Sequence, residues 1–121
     1  MSEIEKLKKI ILEFRDERNW EQFHSIKHLI SALSIEASEL AELFLWKNEA
    51  DINEALKDKN FREDIMDECA DVFNYLILIA TKLDFDLTEA ANNKIKKNKE
   101  KYPISKSKGI STKYNKLNDN N

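Results

Sequence analysis

A chain with one glycine, Gly109, and one proline, Pro103, in 121 residues has little with which to reverse direction tightly. Hairpins and sandwich turns need left-handed or fixed-φ residues at each reversal, so β-rich and loop-rich architectures are excluded and an all-α chain is expected. Its length sets a prior of one domain with one modest core. Hydrophobic residues at 41% and charged residues at 36% place it outside the disordered and membrane classes. The longest apolar stretch, Tyr75 to Ala80 with Val72 and Phe73 just before it, is far short of the roughly 20 residues of a membrane span. No membrane partner is expected. Cys69 is the sole cysteine, and no basic, apolar and cleavage-site run opens the chain, which fits a reducing cytoplasm.

Ile4, Leu7, Ile10, Ile11 and Phe14 recur at helical spacing and predict a first amphipathic helix that fades in the charged run Arg15 to Arg18. The segment Asn19-Trp20-Glu21-Gln22-Phe23-His24 breaks the period with two large aromatics and a histidine. Ser25 is a candidate N-cap for a second helix, whose apolar positions from Leu29 to Phe44 carry it to about Trp46. Lys47 to Asn60 reads as a polar connector with a weak helical turn around Ile52 and Leu56. A third helix is expected from near Phe61 to Leu83, apolar nearly all round from Val72 onward, so that a second subunit is expected to help cover it. Asp86 and Glu89 resemble a capping box for a fourth helix, which Pro103 ends. Residues 1–103 are expected to form the helical domain. Residues 104–121, rich in Ser, Lys and Asn, are expected to be a basic arm or tail.

Charge is unevenly spread. Up to Asn93 there are 11 basic against 21 acidic residues, whereas from Lys94 onward 9 lysines face only Glu100 and Asp119. An acidic body repels a long polyphosphate backbone, so a nucleic-acid partner is disfavoured and a small phosphorylated ligand held with metal fits better.

The acids that matter interrupt apolar stripes. Glu36 lies three residues after Leu33 and four before Leu40, with Glu39 one turn on. Glu68 lies three after Ile65 and four before Val72, with Asp71 one turn on. Glu42, Asp64 and Asp67 instead read as ordinary solvated acids. No Lys or Arg occurs between Lys27 and Lys47 or between Arg62 and Lys82, so salt bridges within these helices cannot offset four buried, mutually repelling carboxylates. A divalent cation can. Ligation by oxygen alone points to Mg²⁺, with Mn²⁺ or Ca²⁺ as substitutes, and the lack of a Glu-x-x-His repeat argues against a di-iron or di-manganese oxidoreductase. Trp20, Phe23 and Trp46 are candidate stacking partners for a base, Gln22 and His24 candidate edge readers, and Tyr75, four residues after Asp71, shares the acids' face. Each of these aromatics reads equally as plain packing.

Glu36-Ala37-Ser38-Glu39, followed 29 residues later by Glu68-Cys69-Ala70-Asp71, resembles the E-x-x-E…E-x-x-D signature of the MazG-like, all-α nucleoside triphosphate pyrophosphohydrolases. Phe14 to His24, Glu39 to Phe44 and Asn98 to Pro103 are similar to their dCTP pyrophosphatase branch, so that the likeness runs over about residues 10–103. Ser38 stands where the family often has Gly, and the Lys47–Asn60 connector is shorter than in some members. The resemblance implies a four-to-five-helix bundle assembled as a homodimer or homotetramer, with the site at the subunit interface. It also implies Mg²⁺-dependent cleavage of a (deoxy)nucleoside triphosphate, dCTP-like, to monophosphate and pyrophosphate.

By that resemblance Glu36, Glu39, Glu68 and Asp71 are the metal ligands, with Glu39 the candidate general base. Trp20, Glu21, Gln22, Phe23, His24, Trp46 and Tyr75 line the nucleotide site. Lys94, Lys97 and Lys101 of the fourth helix are candidates to meet the β- and γ-phosphates, against the simpler reading of a lysine-rich helix end that favours the dipole. The competing function is a non-enzymatic helical interaction module whose acids bind cations structurally.

Overall fold

A computed structural model describes residues 1–120, with side chains described as far as Leu117. Among these residues every regular element is helical. They group into two compact units, the first ending at Asp84 and the second beginning at Phe85.

In the first unit, helix α1 spans Glu3–Glu17, opened by a capping box in which the Ser2 hydroxyl accepts the Glu5 N–H and the Glu5 carboxylate accepts the Ser2 N–H. It extends through Arg15, three residues beyond its last aliphatic. Asn19 then takes a left-handed φ of 55°, and one 3₁₀ turn, Glu21–Phe23, follows. Helix α2 spans Ile26–Glu42 with Ser25 as its N-cap, accepting from the His28 N–H at 3.1 Å. It is shorter than the apolar spacing suggested. From Leu43 the backbone tightens into turn hydrogen bonds that reach back three residues, and Trp46 sits at φ 64°.

The Lys47–Asn60 connector holds more than the weak helical turn expected around Ile52 and Leu56. It contains helix α3, Glu49–Ala55, behind a complete capping box between Asn48 and Asp51. The box satisfies two end N–H groups reciprocally and so starts a helix that has no long apolar stripe. Helix α4 spans Lys59–Lys82, beginning two residues before Phe61 because Asp58 caps the Asn60 N–H at 2.9 Å. It ends at Leu83, with Asp84 in the left-handed region at φ 55°.

Helix α4 is the centre of the first unit, with α2 packed along it and α1 against it. Leu29 of α2, only 1% exposed, meets Leu78 and Ile79, with Ile11, Leu12, Leu33 and Tyr75 closing around them. Burying a leucine side chain of this kind contributes about 1.5–3 kcal/mol. Ile77 through Ala80 are buried within the single chain. On the same apolar half, Phe73 and Leu83 remain 39% and 53% exposed.

The second unit holds helix α5, Leu87–Lys101, capped by Asp86, which accepts the Glu89 N–H at 3.0 Å. Pro103 then starts a four-residue helix α6, Ile104–Ser107, and Gly109 turns at φ 81° ahead of a 3₁₀ segment, Tyr114–Asn120. Tyr102 meets Tyr114 edge to face at 6.1 Å, and Lys101 stands 4.7 Å above the Tyr114 ring. The segment read as an unpatterned arm thus contains local helical turns and a buried Leu117. Its last residue, Asn121, lies outside the described residues.

Candidate active site

The packing of α2 on α4 brings the two acidic pairs together. One carboxylate oxygen each from Glu36, Glu39 and Glu68 lies within 4.8 Å of the others. Asp71, one turn beyond Glu68, is outside this trio but close enough to act on Glu36 and Glu68 electrostatically. The acids are less sequestered than the stripe positions implied. Glu36 and Glu68 are half-buried and Asp71 is exposed. The Oε2 atoms of Glu36 and Glu68 are nevertheless both buried without a hydrogen-bond donor, and none of the four acids forms an ion pair among the described residues.

This charge crowding shifts protonation. Desolvation first, then the nearby Glu39 carboxyl and Asp71, push Glu36 up to about 7. Glu68 is raised by desolvation and then by the Glu39 charge. Burial and the charges of Glu36, Asp71 and Glu39 raise Tyr75. The donor set fits a hard divalent cation. Its oxygens are all carboxylate, two lack any donor, and one from each glutamate lies within 4.8 Å of the others.

Beside this cluster is a cavity of about 350 Å³. Asp71, Asn74, Tyr75 and Leu78 of α4 form part of its wall, aliphatics of α1 another part, and Phe14, Arg15, Trp20 and His24 the rest. Phe14 meets Trp20 edge to face at 5.6 Å. Such a volume, mostly apolar with a few polar groups, is within the range of small-molecule sites.

Residues 31–117 match the profile of the MazG-like family. The chain belongs to that family. It is 37% identical to dCTP pyrophosphatase 1 of Rattus norvegicus and 35% identical to that of Homo sapiens, in each case over 94% of this chain and 67% of the relative. A solved pyrophosphatase from Archaeoglobus fulgidus superposes with a TM-score of 0.78 at 35% identity, covering 85% of this chain and 94% of its own.

The MazG-like chain gathers some of the residues singled out above and leaves others apart. Trp20, His24, Asp71 and Tyr75 share the cavity. Glu21 is exposed and faces Arg15 at 3.7 Å, Gln22 donates to the Asn19 carbonyl at 2.9 Å, and Phe23 is 59% exposed. Trp46, at 92% exposure, is not in the cavity wall. Lys94, Lys97 and Lys101 lie along α5 in the second unit.

Two polar wall residues, Arg15 and Asn74, are not among the site residues that the sequence singles out. Their positions hold a signal. Arg15 stands four residues after Ile11 and Asn74 three after Asp71, so each shares a helical face with a residue already marked as inward or acidic. No helix among the described residues is long and apolar enough to cross a membrane.

Proposed function

We propose that this MazG-like chain is a nucleoside triphosphate pyrophosphohydrolase that requires Mg²⁺, accepts Mn²⁺, and acts on dCTP-like pyrimidine nucleotides in the cytoplasm as a homo-oligomer. The observation that carries this reading is the pairing of a cation-free carboxylate trio with an aromatic cavity whose wall includes Asp71. The names of the curated relatives support the substrate class.

Glu36, Glu39, Glu68 and Asp71 would hold the cation, which supplies charge neutralisation for the phosphates and a more acidic water. Glu39 would accept the proton of the attacking water as the water's oxygen bonds to the α-phosphorus. The bond from the α-phosphorus to the oxygen bridging to the β-phosphorus breaks, and pyrophosphate leaves with that oxygen and the electron pair. Lys94, Lys97 and Lys101 are assigned to the leaving pyrophosphate. Trp20 and Tyr75 present ring faces to the base, and Trp46 completes the site from a neighbouring subunit. Exposed Ile10, Phe14, Ile35 and Met66 supply apolar surface for that assembly.

The test is turnover of dCTP with Mg²⁺ by wild type, Glu39→Gln and Asp71→Asn. Each variant is expected to lose roughly a hundredfold or more in kcat with helix content intact. Wild-type rates in either would remove that acid from the mechanism, and an inactive wild type would favour a structural cation site.

A further inference from the structure

The aromatic cavity contains a cation that the acidic trio does not explain. The Arg15 side chain is only 16% exposed, and a guanidinium placed against apolar and aromatic walls must find acceptors to offset its desolvation. It has some of them. Nε donates to Asp16 Oδ1 at 2.8 Å and Nη2 faces Glu21 Oε2 at 3.7 Å. These two carboxylates clamp the fork and leave Nη1 with no carboxylate among the described residues. The Arg15 carbonyl accepts the Trp20 N–H at 3.0 Å, so one turn of chain fixes both the guanidinium and the ring.

His24 supplies the opposite polarity in the same cavity. Its Nδ1 is buried with no hydrogen-bond partner, and its ring stacks on His28 at 6.4 Å. Burial, then the charges of Arg15 and His28, hold it below the ordinary histidine range. A neutral imidazole has one bare ring nitrogen that accepts.

We propose that Arg15 and His24 together determine base specificity, Arg15 donating through Nη1 to the acceptor edge of the base and His24 accepting from an exocyclic amine. The proposal rests on the nucleotide reading above and deepens it. Cytosine presents that pattern, with its amine at N4 beside acceptors N3 and O2. Thymine and uracil reverse it at two positions, setting N3–H against the arginine donors and O4 against the histidine acceptor. A site built to hydrogen-bond one pattern leaves buried polar groups unpaired on the other, and that difference discriminates strongly.

The test compares kcat/KM for dCTP and dTTP, with Mg²⁺, in wild type, Arg15→Met, Arg15→Gln and His24→Phe. Wild type is expected to prefer dCTP. Arg15→Met should lose about tenfold or more on dCTP while dTTP changes by less than about threefold, and His24→Phe should lower the same ratio. Arg15→Gln, which keeps an amide for Asp16, should fall between wild type and Arg15→Met, and it gives the same reading if the methionine variant fails to fold. Equal losses on both substrates would mean a structural role and overturn the proposal while leaving the hydrolytic reading intact, as would a wild type that prefers thymine or a purine. A wild type that hydrolyses no triphosphate would overturn both.

Discussion

Trp46 holds a conformation that a bulky residue adopts at a cost, with φ at 64° and its ring 92% exposed. A left-handed backbone costs an L-residue roughly 1–2 kcal/mol, and an exposed ring returns little of that through burial. Substitution by glycine separates the two roles open to it. Trp46→Gly is expected to keep or raise Tm, since glycine accepts positive φ freely, while raising KM for dCTP more than it lowers kcat. A lowered Tm with unchanged KM would make the ring a structural element.

The acidic trio predicts a pH signature at the same scale. Because desolvation and its neighbours raise Glu36 to about 7, the folded protein binds that proton more tightly than the unfolded chain. Its contribution to stability is therefore fully present below the ordinary carboxylate range and is lost as pH rises through about 7. A bound cation relieves the repulsion that appears there. The gain in Tm from Mg²⁺ over EDTA should be larger at about pH 8 than at about pH 6, where protons compete for the ligands. A gain that is equal at both, or larger in acid, would separate the metal from these carboxylates.

Helix α4 organises the elements, and its contact with α2 does two jobs. The Leu29–Leu78–Ile79 cluster fixes the crossing, and the same seam, further along, sets the opposing glutamates within reach. Leu29→Ala, at a residue 1% exposed, should cost about 2–5 kcal/mol in chemical denaturation and weaken Mg²⁺ binding with it. A loss below about 1 kcal/mol would mean that the cluster does not hold the seam.

The pattern of what could be read in advance follows from this division of labour. The long helices and the acidic pairs were legible because period and interrupted stripes extend over many residues. Helix α3 showed only as a weak helical turn around Ile52 and Leu56, since a seven-residue element stands on its Asn48–Asp51 caps rather than on a stripe. Arg15 was passed over for a related reason. A charged residue at the end of an amphipathic run reads as solvated until Trp20 folds back onto its carbonyl, and that return depends on the left-handed turn at Asn19.

For the whole molecule, family membership carries the chemistry, since the chain belongs to the MazG-like family and is similar to dCTP pyrophosphatase 1. The carboxylate trio of the first unit fits a divalent cation that would meet the substrate's phosphates, and the family membership narrows the chemistry to pyrophosphate release. The most direct test of that chemistry incubates the protein with dCTP and Mg²⁺ and follows dCMP, pyrophosphate and orthophosphate separately. The account predicts dCMP and pyrophosphate in equal amounts, with no orthophosphate and no turnover in EDTA. Release of orthophosphate with dCDP, or turnover that persists in EDTA, would contradict it.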